Sequence, residues 1–390
     1  MKILICSDTY VYQTNGVVTV LNTLVGKLRQ LGEDVRVLAP SDTTKSFKVD
    51  DDFFLGSLPA LYYPKERLCF TRKDPLIDEL KNWKPDIIHS HTEGLISRLA
   101  IKLASILEVP LVMTSHTDFA KYAFGRFYDT PPVRATGKAL GKACYTHADA
   151  IVVPSKKSCS FTWLQSYLDR VTIIPNGLSL ESFQQKVTPE ERAELFEKYG
   201  LEDNGFTIVI VSRLSQEKNV MEILKYFPSL LKVEPRAQLV IVGDGPDKKR
   251  LENFCESSGL TEHVCFTGIV APNEVFRYYG MGDLFVCAST FETQGMTYIE
   301  AMACGLPLVC RKDDCLIDVI DNGENGFLYE TESEFTEAVA KVLSDRQLRE
   351  SMHKKALEKA ELFSDTRFAQ RHIELYKKVL ESKASQEEPV

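Results

Sequence analysis

The chain has 390 residues, 44% of them hydrophobic and 26% charged, which is the balance of a globular protein and length enough for two domains, each with its own core. No apolar run reaches the roughly 18 residues that span a bilayer, and Asp8 interrupts the first apolar stretch too early for a secretory signal, so a cytosolic protein is expected. The net charge of −8 argues against a nucleic-acid partner, and ten cysteines without a Cys-x-x-Cys pair read as reduced core thiols rather than disulfides or metal ligands.

Charge is unevenly spread. Up to Leu180 there are 22 Lys and Arg against 18 Asp and Glu, net +4, and the remainder has 25 against 37, net −12. A basic half joined to an acidic half suits orientation on an anionic membrane surface, although a purposeless drift of surface charge gives the same count.

In chain order the pattern predicts a strand over Lys2 to Ser7, a helix over Val18 to Leu31, and strands at Asp34 to Ala39 and Ile87 to His89. A helix over Gly94 to Leu107 and strands at Pro110 to Ser115 and Ala150 to Pro154 follow. Ile173-Ile174-Pro175-Asn176-Gly177 punctuates the series, which restarts with Thr207 to Val211, Val220 to Leu231, Gln238 to Val242, Val264 to Thr267 and Leu284 to Ala288. Alternation of this kind means two parallel, doubly wound α/β sheets, whose ligands sit beyond the C-terminal strand ends, where Gly16, His116, Arg213, Gly243 and Glu292 fall. Arg367 to Leu380 reads as a last helix, and the polar stretch from Ser382 as a disordered tail.

The segment after Leu284 to Ala288 carries the most chemistry. A loop containing Glu292 runs through Gln294-Gly295-Met296-Thr297 into a helix bearing Glu300, then Gly305-Leu306-Pro307. Helix-opening amides at Gln294, Gly295, Met296 and Thr297 suit a diphosphate. Glu300, about four residues into the helix at about 1.5 Å each, suits ribose hydroxyls, and Glu292 would face a sugar. A solvated loop acid and a helix-surface acid are the plain alternative, but Ala301-Met302-Ala303 beside Glu300 is a face to be buried, and buried acids need partners. Arg213 and Lys218, five apart after a strand, suit a phosphate leaving group, or are two ordinary loop cations. Gly16 lets backbone approach a ligand, or simply turns the chain. His89 and His91 have metal-ligand spacing but no third ligand beside them, and Asp50-Asp51-Asp52 reads as a solvated turn far from any strand end.

Glu292 to Glu300 matches the Glu-x7-Glu signature of the retaining family 4 glycosyltransferases, and the chain resembles that family over roughly residues 1 to 375. The other landmarks, in the family's order, are Asn15-Gly16-Val17-Val18, Pro85-Asp86-Ile87-Ile88-His89-Ser90-His91, Thr114-Ser115-His116-Thr117-Asp118, Val152-Val153-Pro154-Ser155 and Ile174-Pro175-Asn176-Gly177. Val211-Ser212-Arg213-Leu214-Ser215-Gln216-Glu217-Lys218-Asn219 and Ile241-Val242-Gly243-Asp244-Gly245-Pro246 complete them.

The resemblance implies the GT-B fold, two doubly wound Rossmann-like domains facing each other across a cleft. Residues 1–176 would bind the acceptor, 177–365 the nucleotide sugar, 366–381 would return to the N-terminal domain, and 382–390 would be a flexible tail. It implies a hexosyltransferase that uses a UDP-sugar as co-substrate, with no cofactor and no metal. It makes His116 a contact of the donor sugar that supports catalysis, Arg213 and Lys218 the phosphate pair, the Gly16 loop a neighbour of the donor phosphates, and Asp118 a candidate for orienting the acceptor. Thr293-Gln294-Gly295 departs from the family's commonest Pro-Phe-Gly type and is similar to bacterial members that make glycosyl diacylglycerols.

Two stretches bear on the acceptor. Within Pro132 to His147, Arg134, Lys138 and Lys142 lie four apart on one helical stripe beside apolar residues, and Phe53 to Arg67 is aromatic and apolar with a basic end. Both fit a peripheral enzyme on the inner face of the cell membrane taking a lipid acceptor, or else a solvated helix and a half-buried loop. Three readings stay open: transfer of glucose from UDP-glucose to a membrane lipid such as diacylglycerol, transfer to a soluble acceptor, and a catalytically silent nucleotide-sugar binder.

Overall fold

The structure, a computed structural model, describes residues 1–12, 16–59, 67–69, 73–116 and 130–387. The chain forms two compact units, Met1–Gly177 with Asp365–Val390, and Leu178–Ser364. Gly177 goes with the first unit because a Cβ there would stand 2.4 Å from Cβ of Phe368 on the closing helix.

The first unit is built on an eight-stranded sheet. Its strands are β1 (Lys2–Cys6), β2 (Asp34–Pro40), β3 (Phe47–Val49), β4 (Asp52–Leu55), then β7 (Ile87–Ser90), β8 (Leu111–Thr114), β9 (Ala150–Val153) and β10 (Val171–Ile173), with a two-residue pair, β5 (Leu58–Pro59) and β6 (Arg67–Leu68), apart from it. Strand order is β10-β9-β8-β7-β1-β2-β4-β3, and only β3 runs antiparallel. Ile3, Leu4, Ile5 and Cys6 of β1 are all buried, as a central parallel strand covered on both faces requires. The switch point of this sheet lies between β1 and β7, and there Asp8 closes the loops: it accepts from Thr92 Oγ1, Gly94 N and Ile96 N at 2.6, 2.9 and 2.8 Å, capping the helix Leu95–Leu107.

Two expectations fail in this unit. Asp50 and Asp51 form an exposed turn, as expected, but not far from a strand end: Asp50, with φ of 50°, turns the β3–β4 hairpin, and Asp52 opens β4 and pairs with Arg29 at 2.7 Å. Phe53, Phe54 and Leu55 are therefore sheet residues, buried at 0%, 3% and 0% exposure, and unavailable to a membrane. The C-terminal helix runs Asp365–Glu387, so Ser382 to Glu387 are helical instead of a flexible tail. That stretch has no Gly or Pro, Ser385 Oγ donates to Glu381 O at 2.9 Å, and adding turns to an anchored helix needs no new nucleus.

The second unit has six parallel strands, β11 (Phe206–Val211), β12 (Ala237–Val242), β13 (Val264–Gly268), β14 (Leu284–Cys287), β15 (Leu308–Arg311) and β16 (Gly326–Tyr329), in the order β13-β12-β11-β14-β15-β16. The alternation of β11 sends Ile208 and Ile210 into one apolar cluster and Val209 into the other, so both faces are covered by helices. Strand order reverses between β11 and β14, whose following loops carry Arg213, Lys218 and Glu292.

Candidate active site

At the switch point of the second unit the loops after β11 and β14 are joined by charge. Lys218 Nζ donates to Glu292 Oε1, which also accepts from Ser289 Oγ at 3.0 Å, and Ser289 Oγ lies 3.3 Å from Glu217 O. Both partners are half-buried. Arg213 is exposed, three residues before the short helical turn Gln216–Lys218. Asn219 then takes φ of 52° and opens the helix Val220–Val233. Its Nδ2 donates to Glu222 Oε2 at 2.9 Å, the oxygen that also receives Arg311 Nη1 at 2.7 Å, while Tyr329 Oη donates to Glu222 Oε1 at 3.1 Å. Glu222 thus fixes the left-handed bend that ends the Lys218 turn.

The helix Met296–Ala303 begins at Gly295, and no side-chain bond from that residue caps it. A Cβ on Gly295 would stand 2.5 Å from the Tyr298 ring, so the approach to these opening amides demands glycine. Met296 and Thr297 are half-buried and Gln294 is buried. Glu300, half-buried one turn along, receives Tyr279 Oη on Oε2 at 2.8 Å, and burial raises its pKa, an effect the Tyr279 bond reduces. Gly243 ends β12 with φ of 131°, and a Cβ there would overlap Ser212 O at 2.0 Å, so it seats the Arg213 loop against the strand.

In the first unit His116 follows β8, and it is 8% exposed. Its Nε2 lies 3.0 Å from His91 Nδ1, the His91 ring lies 3.9 Å from the His89 ring between centroids, and His89 lies 5.5 Å from His372 of the closing helix. Burial holds the imidazoles uncharged, taking His116 down to about 3 and His372 to about 4, and His89 and His91 also well below the usual range. Beside this layer Glu93 Oε1 accepts from Tyr145 Oη at 2.5 Å, and burial pushes its carboxyl up to about 7.

Gly16 opens the helix Gly16–Gln30 with nothing within 4 Å of a would-be Cβ. Asp118 lies outside the described residues, as do 60–66 of the aromatic stretch. Arg134 and Lys138 belong to the helix Pro131–Tyr145 but their side chains lie outside the described set, and Lys142 is exposed. Sequence reasoning missed Glu222, Tyr279, Ser289 and His372. Glu222 carried a local signal, three residues after a helix-opening Asn, and Ser289 stands three residues before Glu292 in the same loop; Tyr279 and His372 come from distant segments.

Two doubly wound units of this kind define the GT-B architecture. The fold is shared with Anabaena HepE in complex with UDP, at a TM-score of 0.74 and 20% identity over 97% of this chain and 100% of that one. Sucrose-phosphate synthase of Thermosynechococcus elongatus matches at a TM-score of 0.74 and 18% identity over 98% of this chain and 100% of the other. Residues 14–182 match the model of Glycosyltransferase Family 4, and residues 191–359 that of Glycosyl transferases group 1. An alpha-monoglucosyldiacylglycerol synthase of Acholeplasma laidlawii is 29% identical over 91% of this chain and 92% of its own length. One of Streptococcus pneumoniae is 31% identical over 88% of this chain and 78% of its own. The chain belongs to the family 4 glycosyltransferases, and it is an enzyme.

Proposed function

We propose that this glycosyltransferase moves glucose from UDP-glucose to diacylglycerol with retention of configuration, as a peripheral protein on the inner face of an anionic membrane. The observation that carries the reading is the near-complete overlap, in both directions, with the diacylglycerol glucosyltransferase of Acholeplasma laidlawii. No described helix is long and apolar enough to cross a membrane, which agrees with a peripheral enzyme drawing its acceptor from the surface.

In this reading the second unit holds the donor. The opening amides of Met296–Ala303 and the positive helix end take the diphosphate, Glu300 takes the ribose hydroxyls, and Glu292 meets the sugar while orienting Lys218. Arg213 and Lys218 stabilise negative charge as the diphosphate departs, which is binding that strengthens in the transition state. His116 supplies a neutral ring to the sugar, and Asp118 orients the acceptor hydroxyl. No step calls for a metal ion, because cations and the helix end do that work.

The test is to supply UDP-glucose and EDTA to the protein with diacylglycerol in phosphatidylglycerol vesicles, and in parallel with soluble polyols and oligosaccharides. Glucosylated lipid formed in EDTA is the expected outcome. Brisk transfer to a soluble acceptor with none to lipid would replace the acceptor, and activity restored only by Mg²⁺ or Mn²⁺ would overturn the metal-free reading.

A further inference from the structure

Four of the seven histidines meet in the first unit, and only His116 has a role in the reading above. His89 is accounted for, since Tyr376 Oη and Thr114 Oγ1 take its two ring nitrogens at 2.6 and 2.7 Å. His91 is different. It is 1% exposed, its Nδ1 faces His116 Nε2 at 3.0 Å with the two ring planes 18° apart, and its Nε2 has no hydrogen-bond partner among the described residues.

A single proton lies between His91 Nδ1 and His116 Nε2, and its owner decides the state of His116. Burial and the neighbouring imidazoles keep the rings neutral at neutral pH, so each carries one N–H. Were His116 the donor, His91 would carry its own proton on Nε2, a buried N–H with no acceptor. Buried orphan N–H groups are rarer than buried acceptors left short of a donor, so the favoured arrangement has His91 Nδ1–H donating. The His116 proton then sits on Nδ1.

We propose that His91 is a positioning residue for glycosyl transfer: a buried donor that fixes the ring orientation and the Nδ1–H tautomer of His116. The inference rests on the reading of His116 as a sugar contact. It explains why a second histidine, touching no substrate, is buried at this strand end. A ring held in one tautomer meets a sugar hydroxyl with one defined donor, where an unheld ring would divide between two orientations and two tautomers.

The experiment combines ring ¹⁵N NMR of the histidine-labelled full chain with kinetics of His91→Leu and His91→Asn. In the wild type the proton of His116 should appear on Nδ1. His91→Leu should lower kcat about ten- to a hundredfold, with UDP affinity and donor KM nearly unchanged, as expected when only the reacting geometry is loosened. Asn offers an amide N–H near the place of Nδ1, and it should recover most of the lost kcat and keep the His116 proton on Nδ1. A proton on Nε2 of wild-type His116, or a His91→Leu protein that binds UDP normally with unchanged kcat, would overturn the proposal. If Leu and Asn variants fall equally while both bind UDP, His91 is mere packing and the proposal also fails. A wild type that transfers no sugar would defeat the functional reading instead, and ring NMR would then decide the His91–His116 bond alone.

Discussion

The two units repeat one architecture and place their candidate residues beyond strand ends, yet they fill those places with opposite chemistry. The second unit brings charged, half-buried or exposed groups to the reversal between β11 and β14: Arg213, Lys218 and Glu292. The first unit brings neutral, buried imidazoles to the ends of two neighbouring strands: His89 within β7, His91 just after it, and His116 after β8. Topology sets where a ligand can sit, and burial sets what kind of group can wait there. An anionic leaving group calls for charges that keep some water, whereas a layer closed to water favours uncharged rings.

The sharpest way to break that comparison is to remove a cation from the second unit. Arg213→Ala and Lys218→Ala should each lower kcat by on the order of 10²–10³, more than they raise donor KM, as for loss of a charge-stabilising donor in other active sites. Steady-state kinetics with UDP-glucose checks this, and a change confined to KM would mean that the charges serve ground-state binding only.

Glu300→Ala follows in size. Losing a charge-assisted bond set should weaken UDP by about 1.5–3 kcal/mol, and calorimetry of the full chain should see it. Tyr279→Phe should weaken UDP less, by about 0.5–1.5 kcal/mol, because it removes only the hydroxyl that holds Oε2 of Glu300.

Acid separates the units. The four buried histidines have folded pKa values below their unfolded ones, His116 and His372 at about 3 and about 4 and His89 and His91 well below the usual range, so the unfolded state takes up protons first as pH falls and stability declines as pH drops below about 6.5. Glu93, raised to about 7, has the opposite sign and offsets one ring over the upper part of that window. The second unit has no such layer; of its histidines, His353 is exposed and His263 half-buried. Both tryptophans, Trp83 and Trp163, belong to the first unit, so their fluorescence should report unfolding at lower denaturant than circular dichroism does, increasingly so from pH 7 to pH 4.5. Coincident transitions at every pH would contradict the buried-neutral description of the layer.

The smallest effect per residue is at the surface. Replacing Arg134, Lys138 and Lys142 by Gln should cost about 1 kcal/mol each in binding to phosphatidylglycerol vesicles, with donor hydrolysis almost intact. Attraction should fade in sedimentation assays as the Debye length shrinks from about 10 Å at 0.1 M salt to about 3 Å at 1 M.

What the sequence revealed was whatever is written within one segment. The central strands of both sheets announce themselves as apolar runs, whereas β3, β4, β10, β15 and β16 were not predicted, and Glu292 with Glu300 lies on a single strand–loop–helix unit. Contacts between remote segments stayed hidden: Lys218 meets Glu292 74 positions away, Tyr279 meets Glu300 across 21, and Tyr376 meets His89 across 287. Phe53 to Leu55 was misread because a hairpin turned by a left-handed Asp50 lacks the usual glycine, so a sheet strand looked like an apolar loop. The end of the closing helix was misread on polarity alone, although its residues are adequate helix formers.

The most direct test of the central claim is the anomeric configuration of the lipid product. With UDP-glucose, whose glucose is α-linked, and diacylglycerol in phosphatidylglycerol vesicles, proton NMR of the extracted glycolipid should show an α-glucoside. A β-glucoside, or no glucosylated diacylglycerol from protein that binds UDP, would contradict it.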